Sequence, residues 1–420
     1  MGNPKVTQTP KVKILIGGID VETDYQVLEW MAFASGGYVM RARISDPYLN
    51  FLAKLAKQQL LRKARKEPLE CRFKIGWAGG DEMDEMKAWV TDVGSSGVQV
   101  DAETEIIAID PPSWALNAGY SDGIVFEGKV SDVISQVCKR FTISAGGTTA
   151  PILEKISETK DNDHGKWWMM RQDPKTFIQM LLDWSSALTN RQTNWVINAK
   201  NEKLHIVEQA ELVQNDFKKY DILMTTGYGR ATDLIDISVQ SDTLLTFWQT
   251  RLNTGGVSAI SGKYYDKITA KEQVEVYDEN TSNKIDAKST PQESFDKPNP
   301  EGPNRGGWST SILTIPEHNA GDVGVEYGDY MHGRPRHMFI EQLSLMHRIR
   351  IKVHGDADVR DPLGLEATIV NLNWKNEKGD RYWLGGKWIV YGFHHMVTRG
   401  KWTTDLYLRR FDHDAAAKKR

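Results

Sequence analysis

The sequence predicts a mainly β protein with α+β pieces, and three observations carry that expectation. Apolar and polar residues alternate with period two near both ends, at 11–16 and again at 348–354, as in strands with one wet face. Helical spacing is concentrated in the middle of the chain, at 130–141 and 174–188. The composition is ordinary for a globular chain, 40% hydrophobic and 26% charged, but with fourteen Trp, fourteen Tyr and twelve Phe it calls for many packed or contacting aromatic surfaces.

The elements follow in order. Val12, Ile14 and Ile16 alternate with Lys11, Lys13 and Leu15, and Met40, Ala42 and Ile44 alternate with Val39, Arg41 and Arg43. Asp46-Pro47 supplies a cap and a first-turn proline for a helix whose apolar face is Leu49, Leu52, Ala53, Ala56 and Leu60. Strand character returns at 70–77 and 98–109, and Asp110-Pro111-Pro112 ends this block. The next block is α+β. Val130, Val133, Ile134, Val137 and Phe141 share a helical face, with Cys138 beside it as a small buried hydrophobe. Asp173-Pro174 starts a second helix carrying Phe177, Leu181, Trp184 and Leu188, and 195–197 and 204–207 flank a polar turn as a hairpin. A strand is expected at 234–239. From 278 to 310 only Ile285, Ala287, Phe295 and Trp308 are apolar and four prolines intervene, so this stretch is a loop or arm without a core of its own. Phe339, Leu343 and Met346 give a short helix stripe. The strand at 348–354, a turn at 355–364, and strands at 367–370, 388–395 and 403–409 complete a barrel or sandwich.

Several function classes are excluded or weakened. The net charge is −3, so any nucleic-acid-binding surface is local. No apolar run approaches the roughly 18 residues of a membrane helix. The first residues carry neither the apolar core of a signal peptide nor a myristoylation motif, and Cys71 and Cys138 make no disulfide framework. Gly227-Tyr228-Gly229 lacks the third glycine of a dinucleotide loop. Asp161-Asn162-Asp163-His164-Gly165 has its glycine one place early for a calcium loop and Gln172 at the twelfth position. His332 and His337 are separated by Pro335, and His394 and His395 point to opposite faces of a strand, so neither pair reads as a metal site. No cofactor is expected. Asp81, Glu82, Asp84 and Glu85 form an acidic cluster that reads as the start of a helix, or alternatively as glycosidase carboxylates. Two basic features remain: Lys54, Lys57, Arg62, Lys63, Arg65 and Lys66 along the first helix, and Arg348, Arg350, Lys352 and His354 on one face of one strand.

The C-terminal run carries a resemblance. His354-Gly355-Asp356, Tyr391, His394-His395 and Thr404 to Arg410, with Arg171-Gln172, Phe177, Leu181 and Leu182 in the middle block, resemble the baseplate central hub proteins of contractile-tailed phages, the late-control-D-like proteins related to the hub part of type VI secretion spikes. Where that family shows Pro-Gly-Asp, this chain has Asp361-Pro362-Leu363-Gly364. The resemblance implies two tail-tube-like β-barrels and a ring-shaped oligomer: 11–120 with helix 47–66 inserted, an α+β module at 121–215, a second barrel from 216–277 and 330–412, and the polar arm at 278–310. It further implies a homotrimer that adapts a sixfold tail tube to a threefold spike and leaves a channel for DNA in transit. Its partners would be spike, tube, other baseplate and wedge proteins and the tape measure protein. It would be assembled in the host cytoplasm and end in the virion, with a separate spike protein, no enzymatic activity and no membrane. A channel that passes DNA should not be strongly cationic, so Arg348, Arg350 and Lys352 are expected to face an acidic protein partner or a neighbouring subunit. The alternatives are a glycan-cleaving enzyme using Asp81 and Glu85, and a carbohydrate-binding β-protein using Trp374, Trp383 and Trp388.

Overall fold

The computed structural model describes residues 9–33, 37–65, 68–80, 82–97, 99–118, 122–140, 143–145, 148–150, 152–159, 165–170, 172–188, 195–200, 202–208, 218–224, 234–241, 259–266, 271–278, 310–312, 348–356, 359, 368–374 and 386–410. The first part runs β1 (Pro10–Ile16), β2 (Ile19–Asp20), β3 (Tyr25–Phe33), β4 (Gly37–Ser45), a 3₁₀ turn (Pro47–Leu49), α1 (Asn50–Arg65), β5 (Glu70–Trp77), β6 (Met86–Ser96), a second 3₁₀ turn (Gln99–Asp101), β7 (Glu103–Ile109) and α2 (Pro111–Ala118). The middle holds β8 (Asp122–Gly128), α3 (Val130–Arg140), β9 (Ile143–Ala145), β10 (Thr148–Ala150), β11 (Leu153–Ile156), β12 (Gly165–Met170), α4 (Pro174–Leu188), β13 (Trp195–Lys200) and β14 (Lys203–Glu208). The last part holds β15 (Lys218–Met224), β16 (Leu234–Ser241), β17 (Ala259–Asp266), β18 (Lys271–Asp278), β19 (Thr310–Ile312), β20 (Arg348–His354), β21 (Thr368–Trp374), β22 (Gly386–Thr398) and β23 (Lys401–Arg410).

One sheet of 13 strands unites the two ends of the chain, in the order β16-β20-β23-β22-β3-β4-β7-β6-β5-β1-β2, with β15 and β21 joined beside β22. Strand β22 makes this possible because it is 13 residues long. Along one edge it pairs with β23 throughout. Along the other, Gly386–Ile389 pairs with β21 and Gly392–Thr398 pairs with β3. A bulge between Val390 and Gly392 marks the change of partner. The two β blocks, expected as separate barrels, therefore share one sheet. Among the described residues that sheet is open: its path ends at β16 and β2, and no strand closes it into a barrel. Its inner face carries one continuous core, from Val12 and Trp30 through Phe73 to Ile351, Phe393 and Leu408.

A second core lies in the middle block. Val133, Ile134, Val137 and Cys138 of α3 pack with Phe177, Ile178, Leu181 and Leu182 of α4 over Trp167, Met169, Leu204 and Ile206. The expected hairpin is β13–β14, with Lys200 opposite Lys203. Trp89 of β6 belongs to this second core and meets Trp114 of α2 edge-on at 5.0 Å, which joins the module to the large sheet. A third, small sheet has the order β18-β17-β19. Strands β18 and β19 flank one central strand, and the polar stretch joins them in the sequence. That stretch, the arm expected at 278–310, and the helix stripe at 339–346 lie outside the described residues.

Three local expectations are corrected. Residues 86–96, following the acidic run, form strand β6 rather than a helix, because β5 and β7 supply backbone partners on either side. The strand expected from 98 begins only at Glu103, after the 3₁₀ turn. Helix α1 buries Phe51 and Leu55 rather than the stripe Ala53, Ala56 and Leu60, and Leu60 is 69% exposed. Pro47 opens a 3₁₀ turn in which Tyr48 and Leu49 have φ of 59° and 56°. Asp46 reaches past that turn to accept hydrogen bonds from Phe51 N (2.7 Å) and Leu52 N (3.0 Å). The cap thus starts the helix at Asn50 and fixes its rotation, with Leu55 close to Gly17, where a Cβ would sit 3.3 Å from its Cδ1.

Candidate assembly face and the buried histidine behind it

Strand alternation gives the large sheet a second, polar face. In β20, Ile349, Ile351 and Val353 enter the core while Arg348, Arg350, Lys352 and His354 face the other way. Thr403, Asp405, Tyr407 and Arg409 of β23 lie on that face, as do His394 of β22, Glu29 of β3, Arg41 and Arg43 of β4, and Glu103 and Glu105 of β7. The register sets Lys352, Asp405 and His394 opposite one another across three neighbouring strands.

The charges interlock. Asp405 lies 3.8 Å from Arg350 Nε, 3.8 Å from Lys352 Nζ and 4.0 Å from His394 Nδ1. His394 Nε2 is 4.0 Å from Glu29, which is also 4.0 Å from Arg41 Nη1. Arg41 Nε continues to Glu105 at 3.1 Å and Arg43 Nε meets Glu103 at 3.8 Å. Burial lowers the His394 pKa, outweighing the pull of Glu29 and Asp405, so the ring is neutral at pH 7. Four cations, Arg41, Arg43, Arg350 and Lys352, then stand among four carboxylates, with Arg348 and Arg409 beyond them at one end of β20 and β23. One end of the face is aromatic: Phe33 lies 5.3 Å from Tyr407, which is 6.2 Å from Tyr391. Phe33 can lie there because residue 392 is glycine; a Cβ would be 2.4 Å from its ring.

Behind this face Gly355, Asp356, His395 and Thr404 converge. His395 is fully buried and stacks on Trp30 at 5.3 Å and 17°. Its Nε2 is 2.6 Å from the Val359 carbonyl, which only accepts, so Nε2 carries the proton. Nδ1 must then accept, and it receives Trp402 Nε1–H at 3.1 Å and the Thr404 hydroxyl at 2.9 Å. The same hydroxyl accepts from Asp356 N at 3.2 Å. Gly355 N donates to Trp402 O at 2.9 Å, and Trp77 Nε1 donates to Gly355 O at 3.0 Å. Every member of this network has a partner of the right kind. Burial pushes the His395 pKa down to about 3, which keeps the ring neutral. The network ties the 354–359 turn to the β22–β23 pair and to Trp30 and Trp77 of the first β block. It is a structural lock. The sequence pointed to Gly355, Asp356, His395 and Thr404 but not to Trp30, Trp77 and Trp402.

The other sequence candidates are dispersed. Glu82 bonds Lys74 at 2.6 Å and lies 3.7 Å from Lys11, and the Lys74 hydrogen bond lowers its pKa, opposite to what a general acid needs. Glu85 is exposed and 3.6 Å from Arg72. Asp81 and the side chains of Trp374 and Trp383 lie outside the described residues, and Trp388 is in the core. Among the described residues no three His, Cys, Asp or Glu side chains gather to hold a metal ion, and no helix is long and apolar enough to cross a membrane.

No protein-family model matches the sequence, and no curated protein is similar to it in sequence. Solved structures do match in fold. The 43 kDa tail protein of prophage MuSo2 from Shewanella oneidensis aligns with a TM-score of 0.57 and 10% identity over 96% of this chain and 99% of that one. A tail protein from Neisseria meningitidis MC58 aligns with a TM-score of 0.55 and 12% identity over 97% and 99%. A component of the Escherichia coli type VI secretion system aligns with a TM-score of 0.48 and 8% identity over 94% of this chain and 76% of that one. The chain has the fold of the two tail proteins over nearly its whole length.

Proposed function

We propose that the chain is the structural central hub of a contractile tail baseplate, a trimeric ring that adapts the sixfold tail tube to the threefold spike and leaves a channel for DNA. The observation that carries this reading is the fold shared end to end with two tail proteins. The sheet supports it further. From β16 to β6 eight strands run side by side with a core on one face and charges on the other. Both ends of this run offer backbone edges: β16 pairs only with β20, and β5 stops pairing with β6 at Trp89, leaving 91–96 with β7 alone among the described residues. Heterologous edge-to-edge contacts close into a ring when the rotation permits. The core, α1 and the β1–β5 layer occupy the bulky face, which must lie outside such a ring, so the charged face lines the channel.

In that arrangement Arg350 and Lys352 find their acidic partner in Asp405 of the same chain. Arg348, beside Tyr391 at the end of the run, is the cation placed to meet an acidic group of a neighbouring subunit. The partners are the spike, the tube, other baseplate and wedge proteins and the tape measure protein, and the working location is the virion tail. The role is load transmission and symmetry matching, without chemistry. Native mass and negative-stain microscopy test it: a ring near three times 47.6 kDa with a central channel is expected. A chain that stays monomeric alone and with every genomic neighbour overturns it.

A further inference from the structure

The two least exposed carboxylates of the charged face are Asp405, 10% exposed, and Glu29, 17%, while Arg350, Lys352 and Arg41 beside them are 28–49% exposed. Partly exposed ion pairs at about 4 Å add little to stability. Their larger effect is on the charge the face presents. Asp405 serves both Arg350 and Lys352, because the register brings β20 against β23 at that row. Glu29 serves Arg41 directly across β3 and β4. Duplex DNA binds a surface in proportion to the phosphates its cations neutralise, releasing counterions as it does so. Without Asp405, Arg350 and Lys352 would stand as a cationic row open to phosphate; with Asp405 and Glu29, each of Arg350, Lys352 and Arg41 has an acidic neighbour.

We infer that Asp405 and Glu29 are charge-masking residues that keep this face from holding duplex DNA, so that DNA slides past it. The inference rests on the channel reading and assigns these residues a role that fold stability does not require. The test uses the full chain with Asp405→Asn, Glu29→Gln and both together, titrated with a short labelled DNA duplex in low and in physiological salt. The wild type should bind weakly. The double variant should bind at least about tenfold more tightly in low salt, with a log–log salt slope steeper by about two, close to one for each of Arg350 and Lys352, since Arg41 keeps Glu105. Near-UV circular dichroism checks the fold of each variant. Should Asp405→Asn fail to fold, Glu103→Gln with Glu105→Gln, at the more exposed end of the face, should shift affinity in the same direction. A folded variant set with wild-type DNA affinity overturns the inference, as does a wild type that binds as tightly as the double variant. Native mass on the same samples reports the ring separately: a monomer overturns the channel, whereas an intact ring with unchanged DNA affinity overturns the masking alone.

Discussion

His395 and Gly355 show how single residues hold the two β blocks together. His395 is neutral in the folded protein, with its pKa pushed down to about 3, but titrates near 6.5 once unfolded. Its contribution to stability is complete above about pH 6.5 and is lost as pH falls toward 3, by up to about 1.4 kcal/mol per pH unit. Urea unfolding at a series of pH values between neutral and acidic should therefore show a steeper loss for the wild type than for His395→Gln. Equal slopes would mean that the ring is not held neutral. At Gly355 a Cβ would stand 2.1 Å from Trp402 Cδ2, and Trp402 is 1% exposed and cannot swing aside. Gly355→Ala should cost about 3 kcal/mol. Gly392→Ala also meets a ring, at 2.4 Å, but Phe33 is on the surface and can rotate away, so about 1 kcal/mol is expected. Reversal of that order in denaturant midpoints would count against the lock.

Among the elements, α1 depends on one carboxylate. Asp46 is buried, donates its own N–H to Ala102 O at 2.8 Å, and accepts from Phe51 N, Leu52 N and the Thr104 hydroxyl, the last at 2.7 Å. These bonds offset the cost of two consecutive non-glycine residues in the left-handed region. Asp46→Ala strands two helix N–H groups and a buried hydroxyl, so a loss of about 2 kcal/mol and a lower helical circular dichroism signal are expected. Asp46→Asn should retain part of the cap. The helix boundary was legible because Asp-Pro is a local signal. Its buried face was not, because the site that takes Leu55 is made by Gly17 of the β1–β2 turn and by Leu69 after the helix, not by the helix itself.

For the molecule as a whole, the decisive contact is β22 with β3, strands separated by most of the chain. Arg399 in the β22–β23 turn adds to it by donating to Thr23 O at 2.7 Å and Tyr25 O at 3.3 Å. Pairing over such separations makes folding slow, and among the described residues it leaves β16 and 91–96 of β6 as the edges at which the proposed ring would close. Gly94 tests that seam. It lies in the exposed part of β6, and a Cβ there would meet nothing within 4 Å, so Gly94→Lys leaves the subunit intact while placing a charge on the edge. Native mass should fall from ring to monomer with unchanged thermal unfolding of the subunit. A ring that survives this substitution closes elsewhere.

The sequence by itself determined what is local. Period-two alternation in β1, β4 and β20 fixed which side chains enter the core, helical spacing placed α3 and α4, and adjacency alone put His394 and His395 on opposite faces. It also carried the resemblance residues around Gly355 and Thr404. Only the tertiary structure decided which strand lies beside which. It set Asp405 between Arg350 and Lys352, laid Trp30 against His395, and gave two cations of a strand read as cationic an acidic neighbour. The physical reason is that alternation specifies the face a side chain takes but not its neighbour across the sheet. Neighbours are set by backbone pairing between segments hundreds of residues apart, and on this face the neighbours decide the charge.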